Sequence, residues 1–161
     1  MKREGMTLIV KTITRLITGF ILLFGFYVVV YGHITPGGGF SGGVVIALAL
    51  ILTLLAFGNR FVEEYALLGQ EGLKRSDVLA ALAFLVVAVL GYFLASDTVG
   101  RVFFGNWIPI GTPFHLWSGG IVLVCNVAVG VKVATSLFAV LLVLAAFHNH
   151  RRYNPAEPKE E

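Results

Sequence analysis

The chain has 161 residues, 57% of them hydrophobic and 13% charged, with a formal net charge of +3 and a mean hydropathy of +0.87. A soluble domain is about 45–50% apolar and about 25% charged, so this composition describes an integral membrane protein with no room for a second folded domain. The single cysteine, Cys125, excludes a disulfide framework, a zinc knuckle and a cysteine-ligated iron–sulfur cluster. No nucleotide-binding or redox-cofactor signature is present, so no cofactor is expected, and nucleic acid is not an expected partner.

Four apolar segments follow one another, each near the ~20 residues that a spanning helix needs. The first runs from about Thr7 to Tyr31. Its apolar run after Arg15 is too long for a signal-peptide core and no A-x-A site follows, so a cleaved signal is not expected. Thr7, Lys11, Thr14 and Thr18 recur at helical spacing and Gly25 continues their face, a pattern that suits a first turn lying in the membrane interface. The second segment covers about 40–57 and the third about 76–95, with Ser76 or Asp77 as a natural N-cap. Between them, Arg60, Lys74 and Arg75 are balanced by Glu63, Glu64, Glu71 and Asp77, as in a short solvated helix.

The fourth segment, Leu116 to Phe147, would be ~48 Å long as one helix, against a hydrocarbon core of ~30 Å. It must tilt strongly or break, near Ser118-Gly119-Gly120 or at Gly130. A short lead-in around 114–120 followed by a span over 121–147 satisfies the length best. Residues 1–150 thus form one transmembrane domain, and the polar tail 151–161 is expected to be disordered.

The loops orient these spans. Lys2, Arg3, Lys11 and Arg15 precede or open the first span, Arg60, Lys74 and Arg75 follow the second, and Arg151, Arg152 and Lys159 follow the fourth. The opposite side carries Arg101 alone. The positive-inside rule therefore predicts an all-α membrane protein of four spans with both termini cytoplasmic. The 32–43 turn and the 96–115 loop then face outward.

Lys132 stands in the middle of the fourth span. A lysine at the bilayer centre costs ~2.5–3.5 kcal/mol even on the lenient insertion scale, and reaching water from there by snorkelling is difficult. With Asp77 placed at a helix cap, no Asp or Glu lies inside any span. The expected compensation is therefore a partner on another subunit, a hydrated cavity or a neutral amine. Taking an ammonium out of water favours its neutral form, which would let the group relay protons. Cys125, Ala128, Thr135, Ser136 and Ala139 surround it with a small, weakly polar face of the kind that lets helices approach closely. Two readings stand side by side: a proton or cation relay, or a lysine that fixes subunit packing through one interchain hydrogen bond.

Gly32 to Gly43 puts a histidine, a proline and six glycines between the first two spans. Gly37-x-Gly39-x-x-Gly42 matches the dinucleotide pattern G-x-G-x-x-G, but that motif works only after a β-strand inside a βαβ unit, so it is rejected here. Pro36 and the glycines can instead make a tight turn with positive φ. Gly39, Gly42 and Gly43 can let a neighbouring helix touch the start of the second span.

His33 and His115 lie at the outer ends of the first and fourth spans. Histidine can pass protons near neutral pH, which makes His33 a candidate for an ion or proton path, although an interfacial hydrogen-bonded anchor is the commoner use. His148 and His150, beside Arg151 and Arg152, read as a cytoplasmic stop. Asp97 and Arg101 suit a surface ion pair of little energetic consequence, and Tyr92, Trp107 and Trp117 read as interfacial aromatics. No nucleophile–base pair, paired carboxylates or metal-ligand spacing is present, so the chain is not expected to be an enzyme. It also lacks the paired repeats of a complete secondary transporter. A self-contained channel remains a third reading, to be revived only by ion flux from the chain alone.

Tyr31-Gly32-His33-Ile34-Thr35-Pro36-Gly37-Gly38-Gly39-Phe40-Ser41-Gly42-Gly43, followed by an apolar span ending Leu55-Ala56-Phe57-Gly58, resembles the signature of the B subunit of Mrp-type (Mnh-type) multisubunit sodium/proton antiporters. Thr12, Thr14 and Arg15 in the preceding helix are similar as well, and Gly130-Val131-Lys132-Val133 looks like that family's late glycine–lysine motif. The resemblance covers most of 7–147 and is strongest over 27–58. The 96–120 region is longer than the bacterial pattern. Homologous subunits also occur in archaeal membrane-bound hydrogenases and related ferredoxin-driven complexes.

The resemblance implies a non-catalytic accessory subunit in the plasma membrane of a prokaryote. Its partners would be the other subunits of such a complex, the lipid bilayer, sodium ions and protons. It would help build the ion path, or serve purely as a scaffold. The family signature carries over to Pro36, Gly37, Gly38, Gly39, Phe40, Gly42 and Gly43 for helix packing, and to Lys132 for the lysine.

Overall fold

The computed structural model describes residues 6–58, 70–94, 103–105, 107–108 and 111–153, with side chains described through 145 apart from that of residue 70. The described residues contain four α-helices: α1 Leu8–Tyr31, α2 Gly39–Phe57, α3 Gln70–Leu94 and α4 Ile121–Tyr153. Each contains a stretch long and apolar enough to cross a membrane: Leu8–Tyr31, Gly39–Phe57, Glu71–Leu94 and Ile121–Ala145.

The α1–α2 hairpin is closed mainly by backbone. The Tyr31 carbonyl accepts from the Ile34 and Thr35 amides at 2.9 and 3.0 Å and from the Thr35 hydroxyl at 3.1 Å. This satisfies a carbonyl that the helix end would otherwise leave open. Gly32 lies so close to the Gly38 backbone that a Cβ there has no space. Gly38, with φ +138°, supplies the positive-φ turn expected of this loop. At the other end of α2, Gly58 (φ +88°) donates back to the Leu54 carbonyl at 2.8 Å, a common way for a glycine to stop a helix. The Met6 amide bonds the Ala56 carbonyl at 3.0 Å, and Lys11 and Arg15 lie over the Phe57 ring. The basic start of α1 and the end of α2 therefore share one side of the protein.

α1, α2 and α4 meet at the start of α2 with almost no side chain between them. A Cβ on Gly42 would strike the Gly25 carbonyl and the Val29 amide of α1, both at 2.8 Å. A Cβ on Gly43 would strike the Gly130 carbonyl of α4 at 2.7 Å, and one on Gly39 would run into the Asn126 backbone. Gly130 in turn faces Val29. Further along, the contacts become large side chains: Leu54, Leu73, Phe138 and Leu142 form a buried cluster, with Phe138 fully enclosed. α3 joins the assembly mainly by packing along α4.

The structure departs from the expected segments in two places. α3 begins at Gln70, six residues before Ser76, because Gln, Glu, Leu, Lys and Arg are all strong helix formers and extend the helix back through the charged stretch. α4 runs on through Tyr153, so the first three residues of the expected tail are helical. The expected lead-in is present: a 3-10 turn over Leu116–Gly119 and a break at Gly120 (φ +51°), after which the helix continues through Gly130. The rest of the 58–77 loop, residues 59–69, falls outside the described residues, as do Asp97, Arg101 and 154–161.

Residues 103–105 press onto the flank of α3. The Phe104 amide donates to the Ala88 carbonyl at 3.3 Å, and Gly91 touches the Phe104–Gly105 backbone closely enough to exclude a Cβ. Phe104 packs on Phe84 (5.0 Å between ring centroids) and Phe103 on Tyr92 (5.4 Å). Tyr92 is thus a packing residue, while Trp107 and Trp117 are 38% and 56% exposed.

Candidate functional site

The early start of α3 changes the electrostatics of the chain. Asp77 is not a cap. It sits in the third turn of α3 and inside the Glu71–Leu94 span. The expectation that no carboxylate lies within a span is therefore wrong, and the partner of Lys132 is in this chain. Lys132 Nζ donates to Asp77 Oδ2 at 2.5 Å. Ser136 Oγ donates to the other carboxylate oxygen, Oδ1, at 2.7 Å, and Thr135 Oγ1 lies at 3.5 Å from the same atom.

The local sequence explains this convergence. Positions 132, 135 and 136 are i, i+3 and i+4 on α4, so their side chains share one face. That face lies against α3, where the carboxylate gathers an ammonium and two hydroxyls. Thr135 Oγ1 also donates back toward its own helix, with the Val131 carbonyl at 2.9 Å and the Lys132 carbonyl at 3.1 Å. Along α4, Lys132 lies ~17 Å from Ile121 and ~20 Å from Ala145, so the pair belongs to the middle of that span.

The pair is not sealed within the chain. The Lys132 and Asp77 side chains remain 42% and 31% exposed. Beside them lies a groove of about 150 Å³, open on one side and lined by Leu73, Lys74, Asp77, Thr135, Ser136 and Ala139, with Leu142 and Val143 beyond. Most of its lining is apolar, and its polar edge comes from Lys74, Asp77, Thr135 and Ser136. Lys74 carries the groove toward the charged start of α3, where it pairs with Glu71 at 3.6 Å on the surface.

The other sequence candidates divide. Thr135 and Ser136 belong to the cluster, whereas Cys125 is a half-buried free thiol two turns before Lys132 on α4. His33 is apart from them: its ring lies on Gly119, where a Cβ would meet Cγ and Cδ2 at 2.8 Å. Both its nitrogens are buried with no hydrogen-bond partner among the described residues. Of the glycine-run residues, Gly39, Gly42 and Gly43 make the helix contacts, and Gly38 makes the turn. Pro36, Gly37 and Phe40 are exposed, Phe40 by 67%, although Gly37 lies beside Val28 of α1.

Sequence reasoning missed Asp77 because it drew the helix start at Ser76 or Asp77, whereas α3 begins at Gln70. The signal was present in the helix-forming run Gln70–Arg75 and in the stacked donors at 132, 135 and 136, which together require an acceptor.

Residues 9–146 match the model of a family described as a domain related to the MnhB subunit of Na+/H+ antiporter. An uncharacterized protein of Methanocaldococcus jannaschii is 32% identical over 145 residues, covering 86% of this chain; the chain spans about half, 52%, of that protein's length. A putative antiporter subunit mnhB2 of Staphylococcus aureus (strain Newman) is 33% identical over 109 residues, 67% of this chain and 74% of that protein. Among solved structures, a chain of the membrane-bound sulfane sulfur reductase, an archaeal respiratory membrane complex, superposes with a TM-score of 0.70 at 30% identity. The match covers 89% of this chain and 62% of that one.

Proposed function

Because this chain belongs to the family of domains related to the MnhB subunit of Na+/H+ antiporters, we propose that it is a non-catalytic membrane subunit of a cation/proton antiporter module. In this reading the Asp77–Lys132 pair forms part of the ion or proton path. The host is either a dedicated antiporter, as the staphylococcal relative's name suggests, or an archaeal respiratory membrane complex like the one containing the structural match. Both termini face the cytoplasm, a reading supported by the clustering of basic residues on one side of the four spans.

One observation carries this proposal: a carboxylate, an ammonium and two hydroxyls meet within the spans of α3 and α4, beside an open groove. Intramembrane ionisable groups are costly, and they characteristically line ion and proton pathways. A helix seam that needed only adhesion would not need them. His33 is a second candidate for the path, remote from the first along the membrane normal.

The test is exchange by the whole complex in inverted membrane vesicles, followed as sodium-dependent dissipation of a proton gradient. Lys132→Ala and Asp77→Asn are each expected to lower exchange at least about tenfold, the scale of a lost charge-pair coupling, in complexes that remain assembled on native gels. Normal exchange in an assembled variant would remove the pair from the path.

A scaffold role is the second reading, favoured by the side-chain-free crossing of α1, α2 and α4. It predicts that Gly39→Leu or Gly42→Leu dissociates the complex, while no variant impairs transport without impairing assembly.

A further inference from the structure

We propose that Lys11, Arg15 and the notch at Gly19 on α1 form a binding site for one anionic phospholipid, with its phosphate at Arg15 beside Phe57 and an acyl chain running over Gly19. The site shares no residue with the Asp77–Lys132 cluster, and the inference does not depend on the ion-path reading.

Two cations converge on one ring. Lys11 Nζ lies 5.9 Å and Arg15 Cζ 5.6 Å from the centroid of Phe57. The Met6 amide, bonded to the Ala56 carbonyl at 3.0 Å, ties the start of α1 to the end of α2, so the convergence is built into the hairpin. Both cations belong to the Leu8–Tyr31 span, Arg15 ~10 Å along the helix from its start. Charge at that depth is costly unless it is compensated. A ring face attracts a cation through its quadrupole and carries no net charge, and neither α1 nor α2 contains an Asp or Glu. The guanidinium therefore suits an anion from outside these two helices.

The chemistry fits a phosphate at a lipid surface. Over the face of Phe57, Arg15 keeps N–H donors around the rim of its guanidinium, in the fork that holds two oxygens of one phosphate. Its side chain is exposed, and Lys11 adds a second positive charge one turn away. Basic residues at the membrane edge attract anionic headgroups in the leaflet beside them.

The apolar half of the site lies deeper. Positions 11, 15 and 19 are i, i+4 and i+8, so Gly19 continues the cationic face ~6 Å further into the bilayer. A Cβ there would meet nothing within 4 Å, whereas at Gly25, also in α1, it would strike Ile46 of α2. Leu16 and Leu23, three residues before Gly19 and four after it, are 67% and 70% exposed. Gly19 is therefore the floor of a notch between two leucines that nothing in this chain fills, next to the phosphate position.

The experiment uses the full chain in detergent, stripped of lipid and titrated with dioleoyl phosphatidylglycerol, dioleoyl phosphatidylcholine or inorganic phosphate. Native mass spectrometry reads the first bound lipid. Phosphatidylglycerol should bind more tightly than phosphatidylcholine. Arg15→Gln and Lys11→Gln should each weaken phosphatidylglycerol about fivefold, the scale of one basic residue against an anionic lipid, and leave phosphatidylcholine unchanged. Gly19→Leu keeps both charges and places its side chain in open space, so it should weaken phosphatidylglycerol with an unchanged circular dichroism spectrum. Arg75→Gln, an exposed basic position on α3, should have no effect. If Arg15→Gln fails to fold, Lys11→Gln and Gly19→Leu still decide the matter. Displacement of the lipid by an equal concentration of inorganic phosphate would make this a site for a free anion and overturn the lipid assignment. The proposal also falls if the two lipids bind alike, if Arg75→Gln weakens binding as much as Arg15→Gln, or if Gly19→Leu leaves the affinity unchanged.

Discussion

The glycine crossing gives the most exacting test, because it predicts a sign. Gly19 and Gly42 both lie inside helices, and replacing either with alanine carries the same intrinsic helix gain of about 0.8–1 kcal/mol. Their surroundings differ completely. A Cβ on Gly19 meets nothing within 4 Å, whereas one on Gly42 meets Val29 Cγ2 at 2.5 Å and two backbone atoms of α1 at 2.8 Å. Ordinary carbon contacts lie at ~3.5–4.0 Å, so α1 and α2 must separate by roughly 0.7–1 Å to admit the methyl group. Backbone cannot swing aside as a side-chain tip can. Overpacking of this kind costs about 1–3 kcal/mol. That penalty should be the difference between the two variants, because the helix gain cancels. The measurement is unfolding of the chain in mixed micelles with increasing SDS fraction, followed by far-UV circular dichroism. Gly19→Ala should shift the midpoint upward and Gly42→Ala should fall below it by that difference. Equal shifts for both would mean that α1 and α2 do not cross at Gly42.

Three further outcomes follow from contacts elsewhere. The coupling between Asp77→Asn and Lys132→Gln in a double-mutant cycle should be about 0.5–3 kcal/mol in the assembled complex, with the double variant more stable than additivity predicts; strict additivity would mean the two groups do not meet. Gly91→Ala should lift 103–105 from α3, since its Cβ would lie 2.7 Å from the Gly105 amide nitrogen; a cysteine introduced at Gly105 should then label faster with a thiol reagent, and an unchanged rate would refute the contact. Gly119→Ala should displace the His33 ring and destabilise the protein by about 1–3 kcal/mol, read in the same SDS titration; a neutral result would separate His33 from the 3-10 turn.

Much of this architecture was legible in the sequence, and the failures have physical causes. The four spans follow from apolar length alone, and the break before α4 follows from a helix too long for the bilayer with glycines at one end. The glycines of the first hairpin announced close packing, but not the division of labour in which Gly42 serves α1 while Gly39 and Gly43 serve α4. That division depends on which way α2 is rotated, and a nearly uniform apolar helix carries no pattern to reveal it. Lys132 was conspicuous because nothing around it in sequence could stabilise it. Its partner lies 55 residues away, and Asp77 was hidden by a plausible local role as a cap. Local rules place a carboxylate readily at a helix start; only the helix-forming run before it shows that the start lies elsewhere.

The contrast between the two seams of α4 has a mechanical consequence. Where α4 meets α1 and α2, backbone touches backbone around Gly39, Gly43 and Gly130, and such a contact has one arrangement: a slide of even part of a turn drives carbonyls into Cα atoms. α1, α2 and α4 are therefore expected to keep their mutual arrangement. α3 is held differently, through side chains, one polar cluster and a groove that leaves space beside it. Side-chain contacts tolerate the small sliding of packed helices that backbone contacts forbid. α4 thus has one seam that resists sliding and one that can yield, and the Asp77–Lys132 pair lies in the second.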